Sequence, residues 1–449
     1  MGQRYYANLD MSERITTVDK EGLEGKYNDL PTLAKWKALV LEYGIDLEED
    51  ATFSRFPGVE NFKTKRRIKD PTVDHFRFKD IATDNFLIAS ELILTDKISE
   101  KQTLVKVAYK PDSPLVATMQ NETLHLYERN SHKVIPVGVD MVKNRAYSKI
   151  RMPVEIDSKQ PRLEDFVQVV GMDRIGVLAY EGCWHWITSK PCQFCDANPK
   201  REGDISAMPT LNTLKDFKFD QDEWWNRLGH SYLKGIEYAF RYVLENEKIE
   251  PHRHLQLMAG NMIFTEKVWE ISKQIAQVLN SVEPISNFDS YLNISAPKTD
   301  VEKQLREAKE KMGFNQIAFN LEVWGKDRFA EACPGKASSI GFGNMVTALE
   351  LAVPIFGKGN VRSNFVLGAQ PIPELVEGVQ ILANKGIVAD YSVFVPKRGT
   401  GWEHKEQPAM EDVVDFTRQL VQVYQQYGFK SIYCGLSSRS NIVAEVLEI

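Results

Sequence analysis

The chain has 449 residues, enough for one large domain with additions or for two to three ordinary domains. Hydrophobic residues make up 43% and charged residues 26%, the balance of a globular protein, and the net charge of −6 excludes the basic field of a general nucleic-acid binder. No apolar run approaches the roughly 18 residues of a membrane span, no signal peptide is read at the start, and five cysteines in so long a chain do not suggest a secreted disulfide framework, so a reducing cytoplasm is the expected compartment.

The opening "MGQRYY" puts Tyr6 where a myristoylation signal requires Ser or Thr. Residues 1–165 read as a mixed α+β region. "DLPTLAKWKALVLEYG" predicts a helix with Asp29 near its cap, Pro31 in the first turn and Gly44 closing it. "KTKRRIK" (63–69) is either a solvated charged surface or a polyanion contact. The stretch from 115 to 142 alternates and breaks at Gln120-Asn121 and Asn130-Ser131, which predicts a small antiparallel meander.

From about residue 170 short apolar strands alternate with helices. The strand candidates are "RIGVLAY", "HLQLMAG", "SYLNISA", "QIAFNLEV", "RSNFVLG" and "YSVFVP". Such alternation implies a parallel sheet with right-handed crossovers, and six units imply an α/β fold with a partial, TIM-like (β/α)6 barrel over 166–404. A helix over roughly 408–427 and a tail make up the C-terminal extension, 405–449. In barrels of this kind chemistry sits on the loops after the strands.

The loop after the first of these strands is "GCWHWITSKPCQFCD", with Cys183, Cys192 and Cys195. Four readings are open: a zinc site with His185 as fourth ligand, a redox dithiol at Cys192 and Cys195, buried unreactive thiols, or an iron–sulfur cluster with one iron left open. His185 is also a candidate proton carrier, and Trp184 and Trp186 are candidate shields or packing residues.

With this placement the chain resembles the radical S-adenosylmethionine (SAM) superfamily, whose first barrel loop gives three cysteines to a [4Fe–4S] cluster. The family spacing is C-x3-C-x2-C, and this chain departs from it with eight residues between Cys183 and Cys192. The C-x-aromatic-C ending, with Phe194, matches. Four further stretches carry the resemblance, most like biotin- and lipoyl-synthase-type members. "LMAGN" would place Ala259, Gly260 and Asn261 at the SAM amino group. "FNLEV" would place Asn320 and Glu322 on one strand face, with Glu322 at the SAM ribose; a hydrogen bond between strands is the alternative. "VRSNFVLG" would aim Arg362 and Ser363 at SAM and let Gly368 pass the adenine, although Arg362 could instead pair with Glu322. "VFVPKRGT" would bring Val395 to the adenine.

The resemblance implies reductive cleavage of SAM to a 5′-deoxyadenosyl radical that takes hydrogen from a small organic substrate, with flavodoxin or ferredoxin as electron donor. The expected outcome is rearrangement, cleavage, coupling or dehydrogenation. Sulfur insertion is not expected, because only Cys333 and Cys434 remain, and both are expected to be ordinary buried or surface thiols. The rival readings are a zinc-stabilised barrel enzyme and a non-catalytic SAM-binding regulatory protein. The first 165 residues or the C-terminal tail would cover the substrate end.

Overall fold

A computed structural model describes residues 22–47, 64–66, 87–89, 91–197 and 221–447, omitting 109, 111, 121–122, 144, 154, 156–159, 181–182, 263–264, 398 and 434. The myristoylation reading, most of "KTKRRIK" and Cys434 fall outside the described residues. The chain forms two compact units, 1–143 with 448–449, and 144–447.

In the first unit the helical turn α1 (Gly22–Gly25) precedes α2 (Thr32–Tyr43). Pro31 sets the entry to α2, and Gly44, at φ +63°, ends it in a backbone conformation few side chains adopt. Strands β1 (Asp46–Leu47), β6 (Leu115–Gln120) and β7 (Thr123–Glu128) form one sheet. A second contains β4 (Glu91–Asp96), β5 (Gln102–Lys106) and β8 (Val137–Met141), and β2 (Thr64–Arg66) pairs with β3 (Leu87–Ala89). The predicted meander is therefore a hairpin, β6–β7, followed by a strand that joins the other sheet: β8 pairs with β4 rather than β7. The reason is burial, since Val137 and Val139 complete a core with Leu92, Leu94, Leu115 and Leu126.

The second unit is a mixed α/β layer around one seven-stranded sheet. Its strands are β9 (Val167–Val170), β10 (Arg174–Tyr180), β11 (His254–Ala259), β12 (Asp289–Asn293), β13 (Gln316–Ala318), β14 (Val361–Leu367) and β15 (Ile387–Val393). They lie in sequence order, β10 to β15 all parallel and β9 antiparallel at the edge. The connections carry α3 (Trp184–Ile187), α4 (Gln221–Asn246), α5 (Thr265–Val282), α6 (Val301–Glu310), α7 (Lys326–Ala332), α8 (Pro334–Ser339), α9 (Phe342–Phe356) and α10 (Ile372–Asn384). After β15 come α11 (Met410–Tyr427) and α12 (Val443–Leu447). Each crossover advances to the neighbouring strand, so crossovers of one hand stack the helices on a single face. Among the described residues no helix is long and apolar enough to cross a membrane.

Three local expectations are corrected. "QIAFNLEV" is not one strand: β13 stops at Ala318, and the chain rejoins β14 only at a single bridge between Glu322 and Phe365. Glu322 takes φ +67°, which breaks the two-residue alternation that would have put Asn320 and Glu322 on one strand face. The last strand starts at Ile387 and ends before Val395. Tyr433 and Leu436 of the C-terminal tail do not lie at the ends where strands feed the cysteine loop. Instead the Met172 N–H donates to the Leu436 carbonyl at 3.0 Å, and Tyr433 packs on His254 and Tyr291, at the opposite, amino-terminal ends of the strands.

Candidate metal centre

Cys183 follows β10 and caps the one-turn helix α3, whose Trp184 N–H donates to the Asn261 carbonyl at 2.8 Å. Asn261, just past β11, also points its amide nitrogen at the Cys183 sulfur, 3.9 Å away, and accepts a hydrogen bond from Ser295. One asparagine thus ties the cysteine loop to the ends of β11 and β12. Ala259 ends β11 and Gly260 stands between it and Asn261, both half-buried.

The second half of the loop is clamped from two sides. The Gln193 N–H donates to the Ala332 carbonyl and its carbonyl accepts from Trp402 N–H, each at 2.9 Å. Lys397 reaches Asp196 at 2.7 Å, and Phe194 packs on Trp402 with ring centres 6.0 Å apart. Cys195 closes a turn onto the Cys192 carbonyl, and its sulfur accepts the Ala197 N–H at 3.5 Å. Val395 is half-buried beyond β15.

All three thiols lie close enough for the charge of one to act on another. Burial raises the Cys183 thiol above its ordinary range and pushes Cys195 up to about 12. Cys192 is raised further, first by a hydrogen bond with Cys333 and then by burial. The two sulfurs that receive N–H donors and the soft, clustered donor set suit iron or another thiophilic metal, which would take the thiolates and release their protons. Among the described residues no three His, Cys, Asp or Glu side chains are gathered tightly enough for a single ion. His185 packs against Gly335, where a Cβ would overlap the imidazole, and its Nε2 is buried without a partner. Burial, then the charge of Lys336, holds that imidazole down to about 4, in its neutral form.

Cys333 and Lys336 were not read from the sequence as site residues. Both lie on "EACPGK", Cys333 between α7 and α8 and Lys336 within α8, a segment that docks against the cysteine loop through Gly335 N–H to the Lys190 carbonyl at 3.0 Å. Lys336 donates to Glu322 Oε1 at 2.7 Å and to the Asn320 carbonyl at 3.3 Å. Burial lowers the ammonium, but the Glu322 carboxylate and the nearby thiols outweigh it, and the group is held charged. The only sequence signal for this segment was its place after the fourth strand.

Other predicted residues are engaged in the fold. The Asn320 side chain accepts Asn364 N–H at 3.3 Å and Ser363 Oγ accepts Leu321 N–H at 3.0 Å, the inter-strand bonds weighed as the alternative for this region. Gly368, at φ +100°, sits where a Cβ would press on Pro408 and Phe394, so packing already requires it. Arg362 does not pair with Glu322, the alternative weighed for it. It stands second in β14, at the amino-terminal end, and donates to Gln316 Oε1 at 2.7 Å and to the Lys430 carbonyl at 3.1 Å, while Glu322 pairs with Lys336.

No protein-family model matches the sequence. The chain is similar to a bacteriochlorophyllide c C-7(1)-hydroxylase of Chlorobaculum limnaeum, 30% identical over 116 residues, which are 26% of this chain and 29% of that protein. The match thus spans less than a third of that relative. Among solved structures it is similar to a radical SAM methyltransferase from Sphaerobacter thermophilus, at 14% identity over 70% of this chain and 75% of that one, with a TM-score of 0.39. Coproporphyrinogen III oxidase (HemN) from Escherichia coli, described as a radical SAM enzyme, is 12% identical over 63% of this chain and 58% of that one, TM-score 0.35. SuiB of Streptococcus suis is 12% identical over 60% and 50%, TM-score 0.37.

Proposed function

We propose that this chain is a radical SAM enzyme on a partial (β/α)6 barrel, with Cys183, Cys192 and Cys195 holding a [4Fe–4S] cluster. The observation that carries the reading is three neighbouring thiols on the loop after the first parallel strand, with N–H donors on two of the sulfurs. Bound there, the cluster and SAM would supply the one-electron cleavage that generates a radical able to take hydrogen from a carbon centre. An external one-electron donor of the flavodoxin or ferredoxin kind is required. The local likeness to a hydroxylase agrees with a C–H bond as the target.

The chain's own residues position and exclude. Asn261 holds the Cys183 turn against the ends of β11 and β12. Phe194 and Trp402 keep water from the C-x2-C turn. Lys336 places a positive charge beside Cys192, where it offsets the negative charge of a thiolate-ligated group. With one Glu322 oxygen on Lys336, the other is left to accept a ribose hydroxyl. Ala259, Gly260, Gly368 and Val395 supply the rim. The proposed site does not draw on Arg362 and Ser363, whose polar groups serve Gln316, Lys430 and Leu321 in the fold.

Anaerobic reconstitution tests the reading. The expected protein holds about four iron atoms per chain, and with a strong reductant it converts SAM to 5′-deoxyadenosine and methionine. Cys195→Ala should lose both properties. A protein that takes up zinc in place of iron and leaves SAM intact overturns the proposal.

A further inference from the structure

We propose that Cys192 and Cys333 are a site of reversible oxidation by peroxide: in the metal-free chain they close to a disulfide that withholds Cys192 from metal and shields it from irreversible damage. The disulfide itself follows from how two segments face each other. Its consequence for metal loading rests on the reading of Cys192 as a ligand.

The Gln193 N–H donates to the Ala332 carbonyl at 2.9 Å, and the Gly335 N–H donates to the Lys190 carbonyl at 3.0 Å. These two bonds run in opposite directions between the segments and bracket a short antiparallel match. In it Cys192 stands opposite Cys333, and Pro191 opposite Pro334. The Cys333 N–H is used by the Phe329 carbonyl, so the two cysteines do not exchange backbone hydrogen bonds. In a regular ladder that is the closer kind of facing pair, with Cα atoms about 4.5 Å apart. A disulfide spans Cα separations of about 4.4–6.8 Å. The side chains do meet, since Cys192 and Cys333 share a hydrogen bond. Both prolines have a fixed φ, which stiffens the match.

Cys192 is 7% exposed and Cys333 is fully buried, so a small uncharged oxidant such as hydrogen peroxide meets Cys192 first. The Cys192 sulfur attacks one peroxide oxygen; the O–O bond breaks, leaving a sulfenic acid and water. The Cys333 sulfur then attacks the Cys192 sulfur. The S–S bond forms, the S–O bond breaks, and hydroxide leaves with the Cys333 proton as a second water. Two thiols thus supply the two electrons that reduce one peroxide. The Lys336 ammonium, close enough to act on both sulfurs, favours the anion through which each attacks. Cys195 is the competing partner, but it belongs to the same turn as Cys192, and its sulfur accepts the Ala197 N–H.

Peptide mapping of the metal-free full chain tests the pair. After one equivalent of hydrogen peroxide and blocking of free thiols with N-ethylmaleimide, mass spectrometry should find Cys192 linked to Cys333, and dithiothreitol should release them. The oxidised chain should take up iron only after that reduction. Cys333→Ser should load iron normally when untreated. After peroxide it should lose uptake that dithiothreitol does not restore, because an unresolved sulfenic acid proceeds to the sulfinic acid. Should that variant fail to fold, the wild-type map decides, and it reads the linkage whichever metal the loop takes. A link from Cys192 to Cys195, or complete blocking of both Cys192 and Cys333 by N-ethylmaleimide after peroxide, overturns the proposal.

Discussion

Lys336 Nζ lies 2.7 Å from Glu322 Oε1, and the two side chains are only 13% and 11% exposed. Neither charge has much water to fall back on, so each is the other's main compensation. Glu322→Gln should therefore leave a buried, unpaired ammonium and cost on the order of 3–5 kcal/mol of folding stability. Lys336→Met in the same chain should recover most of that loss, because the stranded charge goes with it. Chemical denaturation of the two single variants and the double variant measures the coupling. Additive losses would show that the pair is not what holds Glu322 in place.

Single replacement of Cys183, Cys192 or Cys195 by Ala should abolish the brown absorption near about 400 nm that thiolate–iron bonding produces. The sharpest case is Cys183, which lies eight residues outside the C-x2-C turn. A fully coloured Cys183→Ala protein would remove that residue from the ligand set.

Cys333 lies beside Cys192 yet is expected to ligate no iron. Cys333→Ser should leave about four iron atoms per chain and SAM cleavage unchanged, and Cys434→Ser should behave the same way. An iron count near six or eight in the wild type, dropping to four in either variant, would reveal a second cluster and reopen sulfur insertion.

Gly335 is the contact point between α8 and the cysteine loop, where a Cβ would overlap the His185 ring and the Lys190 carbonyl. The ring is buried and the carbonyl is backbone, so neither yields easily. Gly335→Ala should cost about 1–3 kcal/mol, as overpacking does, and lower the iron retained after reconstitution. Wild-type iron content together with wild-type stability would show that the loop can shift without loss.

Arg362→Met should lower the thermal midpoint and leave the dissociation constant for SAM within about twofold, since the guanidinium binds Gln316 and Lys430 at the end of β14 away from the loop. Calorimetric titration of the reconstituted protein checks it. A tenfold weaker SAM affinity would return Arg362 to the cofactor site.

The alternation of short apolar runs with amphipathic helices was readable without coordinates, because strand and helix periods are set by near neighbours along the chain. The same holds for Pro31 and Gly44 at the ends of α2 and for the cysteine loop directly after β10. What the sequence could not contain was how loops return on one another. Glu322 looked like a strand residue sharing one face with Asn320, but its positive φ and its partner fourteen residues on, Lys336, follow from "EACPGK" docking against the cysteine loop. Cys333 meets Cys192 for the same reason, and Arg362 is taken by Gln316 and a tail carbonyl 68 residues away. Local periodicity decides which elements form. The compensation of a buried charge or thiol depends on whichever group folding brings within hydrogen-bond reach, and that is decided only in three dimensions.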